Sequence, residues 1–224
     1  MPFREFKSHL SAFTVNKQGA REIIMPVHQR HDVKFLIMVR NPYDSLASSM
    51  KFVETHGDEW SKVWGNFPKF SAEFDTLLEM LNTTRLKDAF VHNFFKSWYE
   101  LKDQENVLVL HYTNVFKNPR KYLKIIADFI GIRDISEEGL NIVEKRTSID
   151  FMRNRNEKYR YQILPSKMYI LKDPKEIGGK GLIKRGGVNK TRDILTADQM
   201  SLLHQFGVNS IGRELVDLLE NGFE

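Results

Sequence analysis

The longest uninterrupted apolar run in the chain is Phe35-Leu36-Ile37-Met38-Val39, and it ends on Arg40-Asn41-Pro42. With Val33 and Lys34 ahead of it, the run is too short for an independent helix. It reads as a fully buried strand over 33–39, of the kind a parallel sheet uses. It is also far short of the ~20 apolar residues that span a bilayer. Asn41 suits an N-cap and Pro42 suits the first helical position, where its missing N–H has no role. A helix is therefore predicted from there through Leu46 towards Met50. Strand, polar turn and helix make half of a βαβ unit, which points to a layered α/β fold.

A second unit of the same kind follows. Asn106-Val107-Leu108-Val109-Leu110 predicts another buried strand, leading through His111-Tyr112-Thr113-Asn114 to Asn118-Pro119, again an N-cap and a proline. The helix beyond it carries Tyr122, Ile125, Ile126, Phe129 and Ile130 on one face and stops at Gly131. Ser136 with Glu137 and Glu138 opens another helix, the acids sitting at the positive end of its dipole. Thr196-Ala197-Asp198-Gln199 opens a C-terminal helical region. Between the two units, 56–70 has no clean period and reads as mobile, and helices are predicted near 70–81 and 85–101. The second of these presents Phe90, Phe94, Phe95, Trp98 and Tyr99 as an aromatic face suited to core packing. Residues 165–192 read as a long Gly- and Lys-rich loop.

At 224 residues the chain is long enough for one domain, taken as 1–224, with a real core. Its 34 basic and 29 acidic residues leave a mild, dispersed excess of +5, which fits a pocket for a small polyanion better than a nucleic-acid arm. The absence of cysteine excludes disulfides, thiolate metal sites and a cysteine nucleophile. Seven scattered histidines without H-E-x-x-H spacing argue against a metal centre. With no apolar N-terminal segment or spanning run, the expectation is a soluble, cytoplasmic protein without a membrane partner.

Ligands of α/β folds bind at the carboxyl ends of the strands. Arg40 stands at such an end, directly before a helix start, where backbone N–H groups and a guanidinium fork can together hold phosphate or sulfate; Ser48 can add a hydroxyl. The alternative is a surface arginine paired with Asp44. The segment Gly178 to Gly187 holds five glycines and three cations in ten residues, fit for close approach to an anion or for a flexible surface loop. It lacks the Walker spacing. In Lys7-Ser8-His9-Leu10, His9 is either a general base for a hydroxyl or a solvated side chain.

Taken in order, these segments resemble the cytosolic sulfotransferases, which use 3′-phosphoadenosine 5′-phosphosulfate (PAPS). Lys7-Ser8-His9-Leu10 is similar to the family's K-[TS]-H-L. Phe35 to Asp44 with Ser48 is similar to its strand and R-N-P-x-D…S motif. Trp98-Tyr99-Glu100 and Val109 to Asn114 resemble its W-x-x…L-x-Y-E-D segment. Arg146-Thr147-Ser148-Ile149-Asp150-Phe151-Met152 resembles H-T-S-F-x-x-M, and Lys184-Arg185-Gly186 falls on R-K-G. The resemblance implies a P-loop-NTPase-like sulfotransferase fold, a parallel sheet flanked by helices. It also implies transfer of a sulfuryl group from PAPS to a hydroxyl or amine of a small acceptor, without a metal. His9 would be the base and Lys7 would stabilise charge at the bridging oxygen. Arg40, Ser48, Lys184, Arg185 and Gly186 would hold the 3′-phosphate, and Tyr112, Thr147, Ile149 and Met152 would line the adenine pocket.

Departures from the pattern set further expectations. No T-Y-P-K-S-G-T-T-W-like P-loop precedes His9, so the fold is expected to be N-terminally truncated and the chain alone a poor catalyst. Lys184 replaces an arginine, trading a bidentate fork for a point charge. Asn189, Lys190 and Thr191 replace the family's Gly-Asp-Trp. The dimer motif K-x-x-x-T-V-x-x-x-E becomes Arg192…Thr196-Ala197…Ser201, so oligomerisation by that route is not expected. Two rivals stand beside the enzyme: an inactive relative that still binds 3′-phosphoadenosine nucleotides such as the desulfonated product PAP, and a P-loop kinase-like nucleotide-binding protein.

Overall fold

A computed structural model describes residues 8–15, 18–54, 91–155 and 195–223, with backbone alone at 49–54. In chain order, β1 (Phe13–Val15) and β2 (Arg21–Ile23) form an antiparallel hairpin, followed by a single 3-10 turn, Val27–Gln29. Then come β3 (Phe35–Val39), α1 (Pro42–Glu54), α2 (Val91–Tyr99), β4 (Val107–His111), α3 (Tyr112–Lys117) and α4 (Pro119–Phe129). The remaining helices are α5 (Glu137–Thr147), α6 (Ile149–Arg153), α7 (Ala197–Ile211) and α8 (Arg213–Asn221). The helix read near 70–81, the first part (85–90) of the helix read over 85–101, the segment 56–70 and the loop 165–192 lie outside the described residues.

The described residues fall into two compact units. The first takes 8–15, 18–42, 91–114 and 201–223, and it holds both predicted strands. These pair in parallel, Phe35 opposite Val107 through Val39 opposite His111. The turn entering β3 is pinned by one side chain: the Asn106 amide lies 3.1, 3.2 and 3.3 Å from the carbonyls of Val27, Arg30 and Val33. Val33 therefore closes a turn onto Arg30 and is not part of the strand. Nor is β3 buried on both faces. Ile37 and Val39 point into the core, while Leu36 and Met38 are each 43% exposed, the alternation that a pleat imposes when one face is covered.

The core of this unit gathers Ile37, Val39 and Val107 from the strands, Phe95 and Trp98 from α2, and Ile211, Val216 and Leu219 from α7 and α8. The aromatic face predicted on α2 is thus core. Trp98 packs on Phe35 at 5.5 Å and Phe95 on Tyr99 at 4.9 Å, tilted geometries that suit the ring quadrupoles.

The second unit takes 43–54, 115–155 and 195–200. Its helix ends follow local chemistry. Ile132 N–H reaches the Ala127 carbonyl at 2.8 Å and Gly131 N–H reaches Asp128 at 3.0 Å, the two bonds of a Schellman stop. That stop needs a left-handed residue, and Gly131 sits at φ +86°. Ser136 Oγ accepts from Gly139 N–H at 3.0 Å and caps α5. Thr196 and Gln199 exchange side-chain and backbone bonds at 3.0 and 3.2 Å, a complete capping box for α7. Arg120 of α4 bridges to α5, bonded to Glu137, Glu144 and Asn141. Asn118 stands at the N-cap of α4 but makes no side-chain cap bond, contrary to expectation. Asn41, directly before α1, also donates its amide to the distant Glu220 carbonyl at 2.7 Å.

Candidate functional site

Parallel pairing sets the geometry of the site. Because Val39 and His111 are opposite one another, the residues that follow them, Arg40 and Tyr112, emerge side by side at the carboxyl ends of β3 and β4. The Arg40 guanidinium lies over the Tyr112 ring, 4.9 Å from its centroid. The ring covers one face of the guanidinium, a contact worth about 0.5–1 kcal/mol or more when desolvated. Both side chains are half-buried. The sequence pointed to these two residues separately; the sheet brings them together.

Beneath them His111 is buried. Thr113 N–H points at its Nδ1 at 3.3 Å, so the ring hydrogen sits on Nε2 and donates to the Leu219 carbonyl at 2.9 Å. The sequence reading ended the strand at Leu110 and read His111 to Asn114 as a connection. In the structure His111 completes β4, and α3 begins at once with Tyr112.

His9 is exposed, on a segment that is firmly attached. Trp98 Nε1–H donates to the Leu10 carbonyl at 3.1 Å, and Ser97 Oγ accepts from Ala12 N–H at 3.0 Å while donating to Phe94 at 2.9 Å. Trp98 and Ser97 are both buried, so α2 acts as the mount for the His9 segment. Sequence reasoning placed Trp98 in the core and found no link to His9, because the bond joins residues 88 apart.

The other predicted residues are distributed as follows. Ser48 is exposed on α1, in the second unit. Thr147 closes α5 there, its hydroxyl donating to Val143 at 2.9 Å. Ser148 caps α6 by accepting from Phe151 N–H at 3.3 Å, which sets Ile149 and Met152, both half-buried, on that short helix. Lys7, Lys184, Arg185 and Gly186 lie outside the described residues.

A family profile described as the sulfotransferase domain matches residues 3–210, nearly the whole chain. The chain belongs to the sulfotransferase family. Among curated relatives of this sulfotransferase, mouse sulfotransferase 2A1 is 24% identical over 195 residues, 83% of this chain and 61% of the mouse protein. The guinea-pig 3-beta-hydroxysteroid sulfotransferase is 28% identical over 136 residues, 59% of this chain and 42% of its own length. The chain thus spans about three-fifths of the length of mouse 2A1. Among solved structures, mouse sulfotransferase SULT7A1 complexed with PAP superposes with TM-score 0.55 at 21% identity, covering 91% of this chain and 67% of that one. Retinol dehydratase, in complex with androsterone and the inactive cofactor PAP, gives TM-score 0.61 at 20% identity over 90% of this chain and 51% of its own. Both likenesses bear on the fold, the α/β layers expected from the paired strand–turn–helix units. No helix among the described residues is long and apolar enough to cross a membrane.

Proposed function

We propose that this sulfotransferase takes PAPS as donor and passes its sulfuryl group to a hydroxyl or amine of a small acceptor (phenol, alcohol or amine), with 1–224 acting as one domain in the cytoplasm. The observation that carries the proposal is the stacking of Arg40 on Tyr112 at the carboxyl ends of two parallel strands. Its chemistry fits the donor's 3′-phosphoadenosine end, a phosphate for the guanidinium and a purine for the aromatic ring. The solved relatives named above hold PAP, the donor without its sulfuryl group.

In this scheme Arg40, Ser48, Lys184, Arg185 and Gly186 grip the 3′-phosphate, and Tyr112, Thr147, Ile149 and Met152 enclose the adenine. His9 takes the acceptor's proton as the new oxygen–sulfur bond forms and the bond between sulfur and the donor phosphate breaks. Lys7 steadies the negative charge that grows on the departing bridging oxygen. The mount provided by Trp98 and Ser97 matters because such a transfer depends on alignment of acceptor, sulfur and leaving group.

The test is a pair of titrations with PAP and adenosine 5′-phosphate, which differ only in the 3′-phosphate. Arg40→Ala should lose about 1.5–3 kcal/mol of PAP affinity, the range for bonds to charged groups, and hardly any affinity for the 5′-phosphate. Equal losses for both nucleotides would sink the phosphate assignment. Assays of sulfate transfer should include a hydroxysteroid beside phenols and amines, since two guinea-pig relatives are named for that acceptor class. PAP binding without transfer to any acceptor would favour a nucleotide-binding relative over an enzyme.

A further inference from the structure

The carboxyl end of α8 meets the same two strand ends that present Arg40 and Tyr112. A helix leaves its last carbonyls without partners inside the helix, and buried carbonyls need donors from elsewhere. Here the donors come from the residue directly before α1, the last residue of β4 and the first turn of α3. Asn41 gives its amide to the Glu220 carbonyl at 2.7 Å, His111 gives Nε2–H to Leu219 at 2.9 Å, and Asn114 gives its amide to Phe223 at 2.6 Å. Gly222 lets the chain turn at φ +97° between these contacts. A Cβ there would lie 3.1 Å from Asn114 Oδ1 and 3.3 Å from His111 Nδ1. Phe223 then covers the junction, stacked on Phe95 at 5.4 Å and edge-on to His111 at 5.6 Å.

Two of these donors adjoin the proposed site directly in the chain, Asn41 after Arg40 and His111 before Tyr112. We propose that Asn41, His111 and Asn114 are positioning residues that clamp both strand-to-helix junctions onto the end of α8, so that Arg40 and Tyr112 stand preset for the 3′-phosphate and adenine. A cradle ordered in advance loses less freedom when the nucleotide arrives. This role rests on the nucleotide assignment above, and it adds that the C-terminal helix sets phosphate selectivity without touching the nucleotide.

The experiment reads the ratio of dissociation constants for adenosine 5′-phosphate and PAP, which isolates the 3′-phosphate and is insensitive to a general loss of folded protein. Isothermal titration would compare the unmodified chain with Arg40→Ala, Asn41→Ala, His111→Leu, His111→Gln and Gly222→Ala. Val27→Ala, a core truncation away from the clamp, serves as the control for destabilisation. Asn41→Ala, His111→Leu and Gly222→Ala should each lower the ratio roughly three- to tenfold, a fraction of what removing a charge-assisted contact costs. His111→Gln, which keeps a donor at similar reach, should restore it to within about twofold, and Val27→Ala should leave it unchanged. If Arg40→Ala abolishes the preference for PAP but the clamp variants keep it, the positioning role is wrong and the phosphate site stands. If Arg40→Ala leaves the preference intact, the phosphate assignment fails and takes the clamp with it. Gly222→Ala replaces none of the three donors and perturbs them only through its Cβ, so it answers the question even where His111→Leu does not fold.

Discussion

His92 lies on α2 with its side chain fully buried, its ring edge-on to Phe206 at 5.7 Å. Burial, with the nearby His204 as a smaller contribution, lowers its pKa from 6.5 to about 4. His204 is itself paired with Glu220 at 3.0 Å. The folded chain therefore refuses a proton that the unfolded chain accepts between those two values, and stability must fall as the medium is acidified through that window. At ~1.36 kcal/mol per pH unit the loss accumulates to about 3 kcal/mol by pH ~4 and is absent above the unfolded value. Set against a usual total of about 5–15 kcal/mol, that is a large share. The measurement is urea unfolding, followed by tryptophan fluorescence, at about pH 7.5 and about pH 4. Carboxylates also titrate in this range, so the informative quantity is the difference between the unmodified chain and His92→Leu, which shares every carboxylate. The unmodified chain should lose about 3 kcal/mol more than the variant on acidification. Parallel losses in the two proteins would refute the assignment of this acid sensitivity to a buried neutral imidazole.

Gly207→Ala should destabilise the first unit by about 1–3 kcal/mol, despite the ~1 kcal/mol that alanine gains in a helix. Its Cβ would fall 2.5 Å from His92 Nε2 and 3.0 Å from Val216 Cγ2, both on fully buried side chains, and a raised melting temperature would contradict this. Trp98→Phe removes the donor to the Leu10 carbonyl and should lower kcat roughly tenfold or more, since about 1 Å of misplacement can cost 10²-fold. PAP affinity should stay within about twofold, and a parallel loss of affinity would point to general damage. In this chain, or in a version supplied with a P-loop segment if the chain alone transfers poorly, His9→Ala should lower turnover by roughly 10²–10⁴-fold with PAP affinity nearly intact, and full activity in that variant would remove His9 from the mechanism.

Features determined by neighbours in sequence were legible in advance. The apolar run ending in Arg40-Asn41-Pro42 had to be a strand feeding a helix. Gly131 had to end α4, and Ser136 and Thr196 had to start α5 and α7, because each stop or cap closes bonds among residues no more than five apart. The same local character made Arg40 visible as a candidate anion ligand at a strand end. The hairpin of β1 and β2 escaped notice because its strands have three residues each and β2 is exposed throughout, leaving no alternation to read. Tertiary structure decided which face of β3 is buried, which strand it pairs with, and what Asn41 does. An asparagine before a proline is a plausible cap in any sequence. What no local pattern discloses is that its amide also meets the carbonyl of Glu220, 179 residues away. His111, Asn114 and Trp98 carry the same lesson, with partners 88 to 109 residues distant. Such pairs leave no trace in local periodicity, because many segments offer equivalent donors and carbonyls. Only the folded chain, having closed the intervening loops and buried the groups together, selects one partner for each.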